Sequence, residues 1–274
     1  MKILITGANG FLGSHTFEYF KKHGHNVITL DKEQNILKGL PNENFDVLFH
    51  FAAFVGGRKG IDNNIWTIAQ NIEIDRLTFK WAETHVGKII YPSSCAAYPK
   101  ALQTQQGTPM REDMVGGETF DMYGMSKLTS ETMLKFCNVK SQIMRPFTIY
   151  GPGQSLDYPL PAIIQRAKNG ECSVWGSGTQ VRDWIHITDA LRVFDYLLHN
   201  NEPKILNIGT GIPLTFKEVA QIIYKEIHGE FSLNLKTQTD QPEGAGYRYA
   251  DITLLKSLGL EPRISLAEGI RTMI

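Results

Sequence analysis

Short apolar runs recur along the chain, each closed by a glycine or a polar turn, and stretches with apolar residues at helical spacing separate them. Lys2-Ile3-Leu4-Ile5-Thr6, ended by Gly7, reads as a buried parallel strand. Phe11 to Lys22 has the 3.6-residue period of a helix and stops near Gly24. Asn26–Asp31, Val47–Ala53, Lys88–Tyr91, Ser141–Arg145 and Ile205–Ile208 read as further strands, with helical patterns at Thr67–Glu83 and Tyr123–Phe136. Strand, helix and strand in alternation predict an α/β fold, a doubly wound parallel sheet covered on both faces. After Tyr150 the pattern changes. Gly151-Pro152-Gly153 opens a stretch dense in proline and glycine, followed by a helix at Thr215–Ile227, a polar strand-like run at Phe231–Thr239 and a short closing helix. A smaller C-terminal lobe is expected, with ligands in the cleft beyond the carboxyl ends of the strands.

Composition narrows the function. The 274 residues carry 28 Lys+Arg and 28 Asp+Glu, a formal net charge of zero. That balance lacks the electrostatic footprint of a general nucleic-acid or anionic-membrane binder, so neither partner is expected. No apolar run reaches the ~18 residues of a membrane span; the longest, near Val47–Val55, is broken by His50. Cys95, Cys137 and Cys172 are too few and scattered for a disulfide framework, and no Cys/His cluster suggests a metal. The chain opens directly into its first strand, without a charged leader. A soluble, reduced, cytoplasmic protein is the expectation.

Gly7-Ala8-Asn9-Gly10-Phe11-Leu12-Gly13 places glycines between that strand and the first helix. Glycine permits the tight turn and close approach of a pyrophosphate, and the helix N-terminus offers unpaired amides and a favourable dipole. The strand–turn–helix context makes this a dinucleotide cradle, hence a Rossmann-type domain. Its expected extent is residues 1–152 and 183–208, with 153–182 and 209–274 forming the substrate-binding lobe. Asp31 ends the second strand where a carboxylate can accept from the adenosine ribose hydroxyls and repel a 2′-phosphate; NAD is therefore favoured over NADP, with Lys32 beside it blunting the preference. Tyr123 and Lys127 lie one helical turn apart on one face, and a cation beside a phenol lowers its pKa towards use as an acid or base. Ser93-Ser94 follows the strand ending at Tyr91, so its hydroxyls should emerge over the same cleft.

With these residues in place the chain resembles the extended short-chain dehydrogenase/reductase family, in its nucleotide-sugar epimerase/dehydratase branch. The resemblance rests on Thr6–Gly13, His50-Phe-Ala-Ala53, Asn71, Ser93-Ser94 with Tyr98, and Tyr123-x-x-x-Lys127. It continues through Arg145–Pro152, Trp175–Gly178, Arg182–Asp189, Asn207–Gly209 and Leu258–Pro262. It implies that Tyr123 is the acid/base on a sugar hydroxyl, that Lys127 holds the nicotinamide ribose, and that Ser94 hydrogen-bonds the reacting oxygen. It also implies a cofactor groove formed by Gly7, Asn9, Gly10, Phe11, Leu12 and Gly13, with Asp31 and Lys32 at its adenosine end. Phe51, Ala52, Ala53, Asn71, Ser93 and Pro146 complete that groove. A nucleotide-diphosphate sugar would then meet Thr148 and Trp175, with Arg182 and Arg248 on its diphosphate.

Within that branch, dehydratases place an acid pair at the positions of Cys95 and Ala96, and 3,5-epimerases place a cysteine at the second. Ala96 transfers no proton, and Cys95 reads as a packing residue. Tyr, Lys and Ser suffice for oxidation and reduction at one carbon, so a C4 epimerase working through a 4-keto sugar is expected. A keto-sugar-nucleotide reductase or dehydrogenase uses the same trio, and a non-catalytic dinucleotide sensor would be expected to lose it. Asp31 to Val47 is too short to supply the usual adenine-reading Asp, Thr148 stands where many members have Asn, and Val55-Gly56-Gly57 resembles the GDP-sugar branch. A homodimer through Thr67–Glu83 and Tyr123–Phe136 is also expected.

Overall fold

In the first strand Ile3 and Ile5 join the apolar cluster on one side of a sheet, and Leu4 joins the cluster on the other. The third strand repeats this with Val47 and Phe49 against Leu48. Strand side chains alternate, so a strand that is apolar at every position is buried on both faces and requires helices above and below. The computed structural model describes residues 1–31, 36–104 and 107–274 and shows that arrangement. The first half runs β1 (Lys2–Thr6), α1 (Phe11–Lys22), β2 (Asn26–Leu30), β3 (Phe45–His50), α2 (Arg58–Asn63), α3 (Ile65–His85), β4 (Val86–Pro92), α4 (Met122–Phe136) and β5 (Lys140–Pro146). The second runs β6 (Thr148–Tyr150), α5 (Pro159–Lys168), β7 (Ser173–Trp175), β8 (Val181–His186), α6 (Ile187–His199) and β9 (Ile205–Ile208). It closes with β10 (Pro213–Thr215), α7 (Phe216–His228), β11 (Lys236–Gln238), β12 (Tyr247–Arg248), α8 (Thr253–Ser257) and α9 (Leu266–Arg271).

Among the described residues the main sheet has six parallel strands in the order β2-β1-β3-β4-β5-β9. This is the Rossmann-like α/β fold. α1 and α6 cover one face through Phe20, Phe194 and Leu197; α3 and α4 cover the other through Ile74, Phe79 and Leu134. Between β2 and β3 the described residues form only the short 3-10 turn Ile36–Lys38, so β2 is the sheet's edge.

The smaller lobe is organised around β8, which pairs antiparallel with β10 and parallel with β6 and β12, while β7 pairs with β11. Its own core joins Tyr150, Ile163, Trp184, Val219, Ile223 and Ile270. The lobe's sheet therefore takes in β6, which the expected boundaries placed in the larger domain, and β8, which they cut after Arg182. The chain returns to the main sheet only at α6. The polar run at Phe231–Thr239 yields only the three-residue β11.

Two buried cations tie helices to the sheet. Lys88 on β4 donates to the carbonyls of Leu197, Leu198 and Asn200 at 2.6, 3.0 and 2.9 Å, satisfying the C-terminus of α6. Arg145 on β5 is wholly buried and makes a two-pronged ion pair with Glu131 of α4 at 2.9 and 2.7 Å. Removing one member of such a pair strands the other charge. Arg145→Met is expected to lower the free energy of urea unfolding by about 3–5 kcal/mol, and adding Glu131→Met to it should recover part of that loss.

Candidate active site

The crevice opens where the connections of β1 and β3 leave on opposite faces of the sheet, a topological switch point. A cavity of about 470 Å³ lies there, within the usual range for a cofactor or substrate site. Gly7, Gly10, Phe11, Leu12 and Gly13 line one wall. Gly7 adopts φ +68°, and a Cβ on Gly13 would sit 2.2 Å from the Gly7 carbonyl oxygen, so the loop closes only with glycines. No side chain caps α1, and its first turn holds no acidic residue, which leaves its amides available to an anion. Asp31 accepts from the Asn9 amide at 2.6 Å and lines the cavity beside Leu30 and Ile36. Its carboxylate thus also braces the glycine loop. Lys32 lies outside the described residues.

Phe51, Ala52, Ala53 and Pro146 form other walls. Asn71 does not reach the cavity lining. It is buried and clamps Phe54 instead, accepting from its amide at 2.6 Å and donating to its carbonyl at 2.8 Å, which fixes the loop after β3. Ser93 lines the cavity, yet its hydroxyl is committed to Glu131.

Ser94, Tyr123 and Lys127 all border this cavity. Asp121 caps α4 by accepting from the Gly124 amide at 2.9 Å. Gly124 allows the helix to rest on the turn after Ser94, since a Cβ there would lie 2.2 Å from the Ala96 carbonyl oxygen. The close approach brings Tyr123 to Ser94. Lys127 donates to the Pro92 carbonyl at 2.9 Å and the Tyr91 hydroxyl at 3.2 Å. The Tyr123 phenol differs from expectation: its pKa lies above the ordinary tyrosine value. Burial is the main cause, Tyr158 adds to it, and a hydrogen bond from Ser94 works against it. The loss of solvation outweighs any stabilisation of phenolate by a lysine whose ammonium is turned towards Tyr91 and Pro92. Cys95 is packed in the core, where burial pushes its thiol up.

Arg182 and Arg248 stand side by side on β8 and β12 in the lobe. A third guanidinium, Arg58 at the start of α2, joins them. Gly244 keeps the space between: a Cβ on it would lie 3.1 Å from Arg58 Cδ and 3.8 Å from Arg182 Nη2. Arg58 and Arg248 both lie 5.9 Å from the centre of the Phe120 ring. Arg58 is bonded to Asp62 and Asp121, but among the described residues Arg248 Nε meets only the neutral Gln103 at 2.7 Å, and its buried Nη2 has no partner. Burial, then repulsion by Arg248 and Arg58, pulls Arg182 down to about 9. Such a cluster favours a polyanion that supplies the missing counter-charge. Arg58, Arg182 and Arg248 fall outside the cavity lining, as do Thr148, paired with Trp184, and Trp175, paired with Gln238.

Among the described residues no group of three or more His, Cys, Asp or Glu is placed to hold a metal ion, and no helix is long and apolar enough to cross a membrane. The family model of the NAD-dependent epimerase/dehydratase family matches residues 3–209, three quarters of the chain. The chain belongs to that family. This epimerase/dehydratase family member is 28% identical over 308 residues to GDP-mannose 3,5-epimerase 1 of Oryza sativa subsp. indica, covering 99% of this chain and 80% of the relative. It is 27% identical over 317 residues to the UDP-N-acetyl-alpha-D-glucosaminuronate decarboxylase of Bacillus cytotoxicus, covering 100% and 96%. Its fold superposes on the UDP-glucose 4-epimerase of Thermotoga maritima, solved with UDP-glucose, with a TM-score of 0.86 at 24% identity over 100% and 97% of the two chains. The protein is thus an enzyme of an NAD-dependent nucleotide-sugar family, and its glycine cradle and uncapped helix fit that cofactor.

Arg58 escaped the sequence reading although it directly follows the Val55-Gly56-Gly57 turn; nothing local shows that it faces two arginines more than 120 residues away. Asp75 also escaped, and here a signal existed: it is one helical turn from Asn71, on the same buried face of α3. Gly13→Ala is expected to weaken NAD binding about tenfold or more, matching the 1–3 kcal/mol cost of overpacking, measurable by titrating nicotinamide fluorescence with NADH.

Proposed function

We propose that the enzyme inverts C4 of a nucleotide-diphosphate sugar through a transient 4-keto sugar, with NAD retained throughout. The observation that carries this reading is the short list of proton-transfer groups at the sugar end of the cavity. Ser94, Tyr123, Lys127 and a second phenol, Tyr158, line it there, with Ala96 and the buried Cys95 beside them. Among the described residues the carboxylate lining this cavity is Asp31, three strands away across the sheet. Burial pushes the Tyr158 phenol, like that of Tyr123, up. Elimination of water, or proton removal from carbon, calls for a carboxylate or thiol beside the phenols. Oxidation and reduction at one carbon does not.

In this reading Gly7, Gly10, Gly13 and the amides of α1 hold the NAD pyrophosphate, Asp31 the adenosine ribose, and Lys127 the nicotinamide ribose. Bound there, NAD supplies a reversible two-electron acceptor for the sugar carbon. Tyr123 takes the proton of the C4 hydroxyl and later returns it, while Ser94 hydrogen-bonds the same oxygen. Arg182 and Arg248, with Arg58 beside them, hold the diphosphate while the flat keto sugar turns over within the cavity, so binding energy remote from the reacting carbon keeps the intermediate in place. The exposed Trp66, Met125 and Phe136 of α3 and α4 support pairing of two chains through these helices, and the three free cysteines suit a reduced cytoplasm.

Tyr123→Phe is expected to keep NAD binding and lose about 10²–10⁴-fold in turnover, read by chromatography of the products from a panel of UDP-, GDP-, CDP- and dTDP-sugars. Undiminished turnover would remove the phenol from the mechanism. NAD should co-elute with the wild-type protein in gel filtration, and absorbance at 340 nm should show no net change during turnover. Stoichiometric oxidation of added NADPH would instead mark a keto-sugar reductase. Light scattering at micromolar concentration should give the mass of two chains; a single-chain mass would reject the dimer.

A further inference from the structure

Directly behind the cavity lies a buried carboxylate that the proposed chemistry does not use. Asp75 on α3 is 1% exposed and receives hydrogen bonds from three elements. His50 Nε2 of β3 lies 2.9 Å from Oδ1, while the Tyr91 hydroxyl of β4 and the Ser130 hydroxyl of α4 donate to Oδ2 at 2.7 and 2.5 Å. The Tyr91 hydroxyl in turn accepts from the Lys127 ammonium, which sits 4.7 Å from the centre of the Tyr91 ring. Lys127, Tyr91 and Asp75 therefore form a chain of hydrogen bonds from the cavity wall into the core.

Thr6 Oγ1 accepts from the Ala52 amide and lies 2.6 Å from His50 Nδ1, which holds the ring against β1. The other nitrogen of the His50 ring faces Asp75. The other carboxylate that acts on Lys127 is Glu131, but Glu131 is saturated by both prongs of Arg145 and by Ser93. Among the described residues Asp75 has no lysine or arginine in ion-pair contact, only His50. A buried lone carboxylate and a buried lone ammonium are each costly, and each offsets the other's cost.

We propose that Asp75 is a positioning residue of the reaction centre: through the Tyr91 hydroxyl it fixes the place of the Lys127 ammonium, and its negative charge keeps that ammonium protonated. The electrostatics agree in direction. Burial pulls Lys127 below the ordinary lysine value, while Asp75, ahead of Glu131, pushes back. Burial pushes Asp75 up, yet the hydrogen bond and the charge of His50, then Lys127 and the Ser130 hydrogen bond, bring it below the ordinary carboxylate value. The groups facing this pair are His50 from β3, Tyr91 from β4, and Ser130 and Glu131 from α4. The proposal rests on the reading that Lys127 holds the cofactor ribose.

The test is NADH affinity against pH, read by nicotinamide fluorescence on the full-length protein stripped of cofactor. Asp75→Asn keeps the shape and removes the charge. Affinity should fall with rising pH as Lys127 loses its proton, and in D75N the midpoint of that fall should lie about one to three pH units lower than in wild type. An unmoved midpoint overturns the proposal. Tyr91→Phe breaks the hydrogen-bonded link while leaving the charge, and should bind NADH several-fold more weakly at every pH. Should D75N fail to fold, Y91F decides, and wild-type affinity in it overturns the proposal. Lys127→Met separates the two readings. Unchanged NADH binding in K127M strikes the cofactor role of Lys127 and this proposal with it; weakened binding alongside an unmoved D75N midpoint strikes Asp75 alone.

Discussion

The pairing of β1 with both β2 and β3 is the constraint on which the site depends. All three strands are parallel, so each must be followed by a crossover, and the crossover from β1 passes over one face while that from β3 passes over the other. The two connections part at the carboxyl ends and leave a gap that neither can fill. The glycine loop borders the gap on one side and the Phe51–Phe54 segment on the other. With β4 next in line, Ser94 emerges over the same gap, and α4 crosses behind it carrying Tyr123 and Lys127.

Charge is handled in opposite ways at the two ends of the site. Behind the phenol, buried charges are matched: Glu131 with Arg145, and Asp75 with donors from three elements and with Lys127 through Tyr91. Matched charges hold α4 against β4 and β5, and with it Tyr123 and Lys127 at the cavity. At the lobe, positive charge is left in excess: among the described residues Arg182 and Arg248 have no carboxylate partner. A rigid neutral interior and an under-compensated mouth suit a ligand whose anionic end is gripped while its other end reacts.

The phenol illustrates how burial changes a local motif. One helical turn between Tyr123 and Lys127 brings cation and phenol to the same face, but what the cation does depends on what else it meets. Here it meets Tyr91 and the Pro92 carbonyl, and the cavity wall withholds water from the phenol. The net displacement of the phenol's pKa is upward, because desolvation of an anion is a larger effect than attraction to a charge shared with other acceptors.

The sequence by itself determined the sheet, its helices and the cradle, because each follows from short-range rules. Unbroken apolar runs on β1 and β3 demand cover on both faces, glycines at 7, 10 and 13 are the residues a phosphate loop tolerates, and Tyr123 precedes Lys127 by one turn. What only the tertiary structure decided are the meetings of residues far apart in the chain. Whether Asn71 lines the groove or clamps Phe54, whether β8 belongs with the main sheet or the lobe, and which arginines converge are set by the paths of the crossovers. Asp75 is the clearest case: polar spacing on α3 marks it as unusual, but its partners come from β3, β4 and α4, and a buried charge acquires its meaning from the groups packed around it.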